Sequence, residues 1–133
     1  MRIESRGTSQ KAVAGHFTGD VWFENLVMGD EPSRIRMAAV HFSPGARTAW
    51  HSHSLGQVLH VTEGIGKIQS RGGGIETIHV GDIVFTPAGE WHWHGAGSHH
   101  FMTHLAISEE DTRSSAPKTD WGDKVTEAEY RSE

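Results

Sequence analysis

The sequence predicts an all-β protein, a barrel or sandwich of short strands followed by one short C-terminal helix. Three observations carry this prediction. Apolar and polar residues alternate over short segments, turn residues separate the segments at intervals of about ten residues, and 16 of the 133 residues are glycine. Alternation with a period of two places successive side chains on opposite faces of a strand. A chain of this length suffices for one domain with one core.

Each predicted strand is bounded by turn residues. The Pro44–Gly45 turn ends the second of them, and the glycines at 72–74 indicate a hairpin tip. The segments with the strand pattern are 19–27, 35–43, 49–53, 57–64, 64–70, 74–80, 83–87, 91–98 and 100–108. They make eight or nine strands, a number typical of a sandwich or barrel.

The two ends of the chain differ from this pattern. Residues 1–15 predict an N-terminal arm with at most one edge strand. Residues 109–133 begin as a polar loop and end in a short helix, because Thr126 and Glu129 have the spacing of a capping box. We therefore expect one domain over residues 1–133.

Composition and charge indicate which classes of molecule the protein can bind. The formal charge of −5 with neutral histidines argues against nucleic acid or an anionic membrane as the partner. No apolar run reaches the length of about 18 residues that a spanning helix needs, and the N-terminus has no apolar signal core. Cysteine is absent, and neither a G-x-S-x-G nor a phosphate-loop motif occurs. We expect a cytoplasmic protein that acts on a small molecule.

Histidine is the residue type that most strongly indicates function, since the chain has 11. His51 and His53 are two residues apart on one predicted strand, so their side chains share a face. His92 and His94 have the same relation, and tryptophans flank both pairs. If the strands close into a barrel, the two pairs can meet at its axis and hold a metal ion. The alternative is that they are ordinary polar residues on solvent-facing strand sides.

The spacings around these histidines resemble the two motifs of the cupin superfamily. The segment "GARTAWHSHSLGQVLHVTEG" (45–64) resembles the first motif, and "GDIVFTPAGEWHWHGA" (81–96) resembles the second. The resemblance implies a cupin (jelly-roll) β-barrel or sandwich that binds a metal ion. The implied ligands are His51, His53, Gln57 and His92.

Two positions depart from the cupin pattern. Gln57 stands where a glutamate is usual, and Ala96 stands where an asparagine usually closes the second motif. With Gln57 all four ligands are neutral, so a divalent ion would keep its full charge and be a stronger Lewis acid for an anionic ligand. Mixed nitrogen and oxygen ligands suit Mn, Fe, Ni, Co or Zn.

A narrower resemblance covers most of the chain from residue 44 onward. The stretches "PGARTAWHSHSLGQ", "GEWHWHGA", "MTHLAI" and "DWGDKVTEAEYR" are similar to small bacterial cupins that act as manganese-dependent hydroxynitrile lyases and also have glutamine in the acid position. This resemblance implies a carbon–carbon lyase, favours manganese and places a substrate-facing histidine at His104. His94, on the same strand face as His92, is a candidate fifth ligand, proton shuttle or substrate hydrogen bonder. The candidate catalytic residues are therefore His94 and His104.

Other functions stay open at this point, because a fold does not determine a reaction. Three histidine ligands also suit a dioxygenase that uses iron and oxygen, and a cupin can bind a metal or small ligand without catalysis. One apolar face of 35–43, either Met37 with Ala39 or Ala38 with Val40 depending on phase, predicts an apolar pocket wall for a small substrate, together with Leu59 and Met102. Sheet edges and apolar outer faces need cover, so we expect a homodimer or a higher homo-oligomer.

Overall fold

The computed structural model describes residues 1–113 and 118–133. The described residues form twelve strands, one 3-10 turn (Ala14–His16) and one short helix. The strands are β1 (Gln10–Lys11), β2 (Phe17–Thr18), β3 (Val21–Met28), β4 (Ile35–Phe42), β5 (Arg47–Thr48), β6 (His51–His53), β7 (Gln57–Ser70), β8 (Glu76–His79), β9 (Ile83–Thr86), β10 (His92–Ala96), β11 (Met102–Glu109) and β12 (Thr119–Trp121). The helix, α1, is Glu127–Tyr130. The predicted all-β fold with a short C-terminal helix is confirmed.

The strands pair antiparallel in one curled sheet whose main path runs β1-β3-β4-β11-β7-β10-β5-β2. Strand β7 joins the two halves of this sheet. Its first half pairs with β9 and β11, and its second half pairs with β8 and β10. Strand β6 pairs with β10 on one side and β12 on the other. The long, bent β7 therefore brings the two halves around a common interior.

The prediction of two strands over 57–64 and 64–70 was wrong in one respect, because β7 is continuous. Gly64 bends the strand without ending it. Its φ is 76°, a conformation that favours glycine, and a Cβ at this position would lie 1.8 Å from the Phe101 carbonyl oxygen. The ladder between β7 and β11 shifts register close to this point, between Thr103 and His104.

The chain ends also differ from the prediction in detail. The arm contributes the expected edge strand β1, and β2 follows just after it. The predicted capping box is present, with Thr126 and Glu129 bonded reciprocally. The C-terminal loop prediction was wrong at β12, which is a strand because its backbone completes the edge of β6; residues 114–117 of that loop lie outside the described residues. In the described part of the chain, no helix has the length and apolar character to cross a membrane.

Two apolar clusters fill the interior. The first lies between the sheet halves and contains Val21, Phe42, Ala46, Val61, Ile78, Ala96 and Met102. The second contains Trp50, Trp93, Val125 and Tyr130. The second cluster holds the C-terminal helix against the barrel, and the Tyr130 hydroxyl donates to the Ala96 carbonyl oxygen at 2.7 Å. The tryptophans beside the histidine pairs are thus mainly packing residues, as their apolar area predicts.

Candidate metal centre

Two neighbouring strands bring the predicted histidine ligands together. His51 and His53 lie on β6, His92 lies on β10, and His51 and His92 are paired across the antiparallel ladder. One ring nitrogen from each of the three histidines lies within 4.8 Å of the others. His51 and His92 are buried, and His53 is half-buried. The period-two argument from the sequence therefore placed both H-x-H pairs on the interior face.

Backbone carbonyl groups orient two of the three imidazoles. His51 Nδ1 donates to the Ala49 carbonyl oxygen at 2.9 Å, and His92 Nδ1 donates to the Glu90 carbonyl oxygen at 2.8 Å. A carbonyl oxygen only accepts, so in each ring Nδ1 carries the proton and Nε2 keeps its lone pair. Metal-binding histidines use this arrangement, in which the outer nitrogen is fixed by a hydrogen bond.

The inner polar atoms of this cluster have no hydrogen-bond partner among the described residues. These atoms are Nε2 of His53, Nε2 of His92 and the amide oxygen Oε1 of Gln57. Buried polar atoms nearly always have a partner, and a cation bound between these lone pairs would supply it. Neutral nitrogen donors with one amide oxygen suit a divalent transition-metal ion. The residues present therefore fit the metal that the sequence predicts.

Burial keeps the clustered histidines neutral near pH 7. It lowers the pKa of His53 to about 4, and the neighbouring His92 adds to this shift while Gln57 partly offsets it. Burial, together with repulsion from His92, holds the pKa of His51 well below its ordinary value. The pKa of His92 is also lowered by burial. Neutral imidazoles have the free lone pairs that metal binding requires.

The two predicted catalytic histidines form a buried pair. His104 Nε2 and His94 Nδ1 share a hydrogen bond of 3.0 Å, and the pair's outer atoms, His94 Nε2 and His104 Nδ1, have no partner in the described structure. Desolvation lowers the pKa of His104 to about 4 and that of His94 well below its ordinary value. The ring of His94 lies 5.2 Å from that of His51. His94 is thus adjacent to the three-histidine group, which it does not join.

A cavity of about 430 Å³ opens beside the centre. His53 and Gln57 contribute polar atoms to its lining. The apolar part of the lining consists of Phe23, Met28, Met37, Ala38, Ala106 and Trp121. Such a cavity suits a small, mostly apolar molecule with one end at the metal centre. Among the described residues, neither His94 nor His104 lines this cavity, and the ring of His94 lies instead beside that of the predicted ligand His51.

The predicted apolar wall is correct only in part for strand β4, since one residue of each predicted alternative lines the cavity, and it is wrong for two other residues. Met37 and Ala38 line the cavity. Leu59 and Met102 are instead core residues, with 1% and 0% of their surface exposed. Met102 pairs with Phe42 at the opposite end of β11 from the cavity, which explains its place in the first apolar cluster.

Sequence reasoning missed two residues of the site, Thr119 and Trp121. Both line the cavity and both contact predicted ligands. They lie in a polar stretch that predicts a loop, so nothing in the pattern indicated a strand facing the barrel interior. The only available signal was the tryptophan itself, since a large aromatic side chain in a polar segment usually packs against something.

Comparison with known proteins agrees with the motif resemblance. The model of the cupin domain family matches residues 38–107. An (R)-mandelonitrile lyase from Granulicella tundricola is 48% identical, over 98% of this chain and 99% of that protein.

Solved structures give the same result for the fold. The crystal structure of a cupin-like protein from Thermotoga maritima has a TM-score of 0.86 and 39% identity, over 99% of this chain and 96% of that one. A cupin-2 domain from Rhodospirillum rubrum has a TM-score of 0.71 at 17% identity, over 95% of this chain and 78% of that one. The second similarity concerns the fold alone.

Proposed function

Because the chain belongs to the cupin family, we propose that it is a metal-dependent carbon–carbon lyase of the hydroxynitrile lyase type. Its substrates would be small, mostly apolar cyanohydrins, cleaved to an aldehyde and hydrogen cyanide. The metal would be a divalent ion, with manganese favoured and Fe, Ni, Co or Zn as alternatives. Its proposed ligands are His51, His53, Gln57 and His92.

One observation carries the proposal. Lone pairs of neutral side chains converge beside a mostly apolar cavity, and the fourth side chain of the set is an amide. A carboxylate at Gln57 would neutralise part of the charge of a bound ion, whereas the amide does not. A divalent ion held there would supply Lewis-acid stabilisation for negative charge that develops on the substrate. The reaction of a cyanohydrin develops such charge on oxygen and on cyanide.

The buried His94–His104 pair is the proposed proton acceptor. Cleavage requires that the substrate hydroxyl lose its proton while the bond between the carbinol and nitrile carbons breaks and its electron pair leaves with cyanide. The hydrogen bond between the two rings allows His94 to accept a proton at Nε2 and pass the one at Nδ1 to His104 Nε2. The proton then returns to cyanide, which leaves as hydrogen cyanide. No electron is gained or lost by the protein.

The low pKa of both rings limits how long they hold the proton. Burial disfavours an imidazolium at either position, so the cation is stable only while an anion lies nearby. Proton uptake and cyanide departure are thus coupled in this mechanism. The similarity to an (R)-mandelonitrile lyase over nearly the whole chain supports a cyanohydrin as the substrate class.

Mandelonitrile cleavage by the manganese-loaded protein tests the proposal. We expect release of benzaldehyde, followed by its ultraviolet absorbance, at a rate well above that in buffer. His104→Gln removes the residue that receives the proton from His94 and should lower kcat by about 10²-fold or more. Gln57→Glu keeps a ligand of the same shape but adds a charge, and it should lower kcat by about tenfold or more with metal still bound.

A rate equal to that in buffer, while the protein holds stoichiometric manganese, would contradict the lyase. Full activity of the metal-loaded His104→Gln and Gln57→Glu variants would instead contradict the roles proposed for these two residues. Oxygen consumption by the iron-loaded protein with a phenolic or diketone substrate would point instead to the dioxygenase alternative.

A further inference from the structure

We propose that strand β12 is part of the metal centre, with Thr119 and Trp121 as positioning residues for the ligands His53 and His51. The proposal rests on the metal centre proposed above but not on the lyase reaction. It assigns a role in metal binding to a segment of the C-terminal tail, far in sequence from both histidine motifs.

The register of the β6–β12 ladder places these residues on the ligand face. Thr119 is opposite His53, and Trp121 is opposite His51. Directly opposed residues of an antiparallel pair project to the same side of the sheet. Asp120, between them, faces the other side and is exposed. Two of the three residues of β12 therefore meet the two ligands of β6 one to one.

Thr119 supplies the outer hydrogen bond that His53 lacks locally. His51 and His92 each bond through Nδ1 to the carbonyl oxygen two residues before them. The Nδ1 atom of His53 instead lies 3.2 Å from Thr119 Oγ1, a partner 66 residues away in sequence. When Nε2 of His53 binds a metal, Nδ1 carries the proton and donates it to the Thr119 oxygen. The tautomer and ring orientation of His53 thus depend on β12.

Trp121 restrains the second ligand by packing. Its ring lies 4.8 Å from that of His51, with the two planes 27° apart. It also stacks on His16 at 4.1 Å and 3°, and it contacts Phe17 at 5.9 Å. An indole held by these neighbours limits the tilt of His51 about its Cα–Cβ and Cβ–Cγ bonds. The ring of His51 is therefore oriented at one end by Ala49 and along its face by Trp121.

The backbone holds β12 in this position. Ser54 N donates to the Lys118 carbonyl oxygen at 3.0 Å, and Gly122 N donates to the Trp50 carbonyl oxygen at 2.7 Å. Trp50 N in turn donates to the Asp123 carbonyl oxygen at 2.9 Å. These bonds surround the ligand pair His51 and His53 on both sides. Metal binding and the order of residues 118–123 should therefore be coupled.

A matched pair of variants at Thr119 provides the test. Thr119→Val has nearly the same shape but cannot accept the proton of His53 Nδ1, and Thr119→Ser keeps the hydroxyl. The affinity for Mn²⁺, measured by the electron paramagnetic resonance signal of the free ion, should fall about 10- to 100-fold in Thr119→Val. Thr119→Ser should restore it to within about threefold of the wild type. Asp120→Asn, on the opposite face, should bind Mn²⁺ as the wild type does.

A second measurement separates positioning from simple loss of folding. Hydrogen exchange of residues 118–123 should slow when Mn²⁺ binds the wild type, and it should slow less in Trp121→Leu than in Trp121→Phe. Unchanged Mn²⁺ affinity in Thr119→Val, or a Thr119→Ser variant as weak as Thr119→Val, would overturn the role of β12 and leave the metal centre standing. A wild-type protein that binds none of Mn²⁺, Fe²⁺, Ni²⁺, Co²⁺ and Zn²⁺ would overturn the metal centre itself, and with it this proposal.

Discussion

The barrel contains two buried polar regions that differ in how their atoms are satisfied. In the histidine region, five buried side-chain atoms on His53, Gln57, His92, His94 and His104 have no hydrogen-bond partner among the described residues. In the second region, beneath the C-terminal helix, the cations of Arg47 and Lys67 are just as buried, with 4% and 7% of their surface exposed. Both of these cations have hydrogen-bond and ion-pair partners.

The cations of the second region bind the helix to the barrel. Arg47 donates to the Val125 carbonyl oxygen and pairs with Glu127. Lys67 donates to the Tyr130 carbonyl oxygen and pairs with Glu133. Their charged groups also lie 4.5 and 4.3 Å from the Tyr130 ring centre.

The difference indicates which region serves stability and which serves binding. A buried polar atom without a partner costs about 1–3 kcal/mol, so the histidine region destabilises the metal-free fold. The region around Tyr130 satisfies its charges internally and leaves nothing for a ligand to bind. Buried polarity by itself therefore does not mark a functional site, whereas unsatisfied and convergent buried atoms do.

We expect the largest effect on stability from a substitution in the second region, beneath the C-terminal helix. Tyr130→Ala removes the ring between Arg47 and Lys67 and leaves a cavity in the second apolar cluster. It should lower the free energy of unfolding by about 3–5 kcal/mol, measured by urea denaturation of the metal-free protein. Tyr130→Phe, which loses only the bond to the Ala96 carbonyl oxygen, should cost about 1 kcal/mol. Equal stabilities of Tyr130→Ala and wild type would contradict this role.

The histidine region should make the metal-free protein sensitive to mild acid. The histidines with a folded-state pKa below the ordinary value, about 4 for His53 and His104, are His51, His53, His92, His94 and His104. Between about pH 6.5 and 4 the unfolded chain thus binds more protons than the folded one, and stability falls as the pH falls. Each histidine contributes up to about 1.4 kcal/mol per pH unit in this window. Urea denaturation of the metal-free protein at pH 7.5, 6.5 and 5.5 measures how the free energy of unfolding changes with pH. A free energy of unfolding that is the same at all three pH values would refute the prediction.

Removal of the unsatisfied histidine pair should stabilise the protein while it abolishes activity. The double variant His94→Leu/His104→Leu replaces buried polar rings by apolar side chains of similar volume. We expect its metal-free form to gain about 1–3 kcal/mol and to show a shallower loss of stability in acid. A loss of stability in this variant would mean that the pair supports the fold, and that the contrast between the two regions is wrong.

The sequence predicted the parts of the fold and site that depend on local spacing. The alternation of strand residues with a period of two predicted that His51 and His53 share one strand face, and that His92 and His94 do the same. The capping box predicted the helix α1 at the C-terminus. The contribution of β12 depends on pairing between residues 66 positions apart, which no local pattern contains. The sequence predicted separate strand segments on either side of Gly64, because the close approach of Gly64 to Phe101 is visible only in three dimensions.

Three predictions from the sequence stay predictions. The first is the homodimer or higher homo-oligomer, although Ile83 and Phe85 are exposed on the outer face of β9 at 62% and 70%. The others are the single domain over residues 1–133 and the ligand role of each site residue. Size measured by light scattering would test the oligomer directly.

The central claim is that the converging side chains of His51, His53, Gln57 and His92 hold a metal ion. The most direct test is the metal content of the purified wild type and of His51→Ala, both grown with ample metal and analysed by plasma mass spectrometry. We predict about one divalent ion per chain in the wild type and less than about a tenth of one in the variant, because each ligand contributes strongly to a site of this kind. Equal metal content in the two proteins, or no stoichiometric metal in either, would contradict the account.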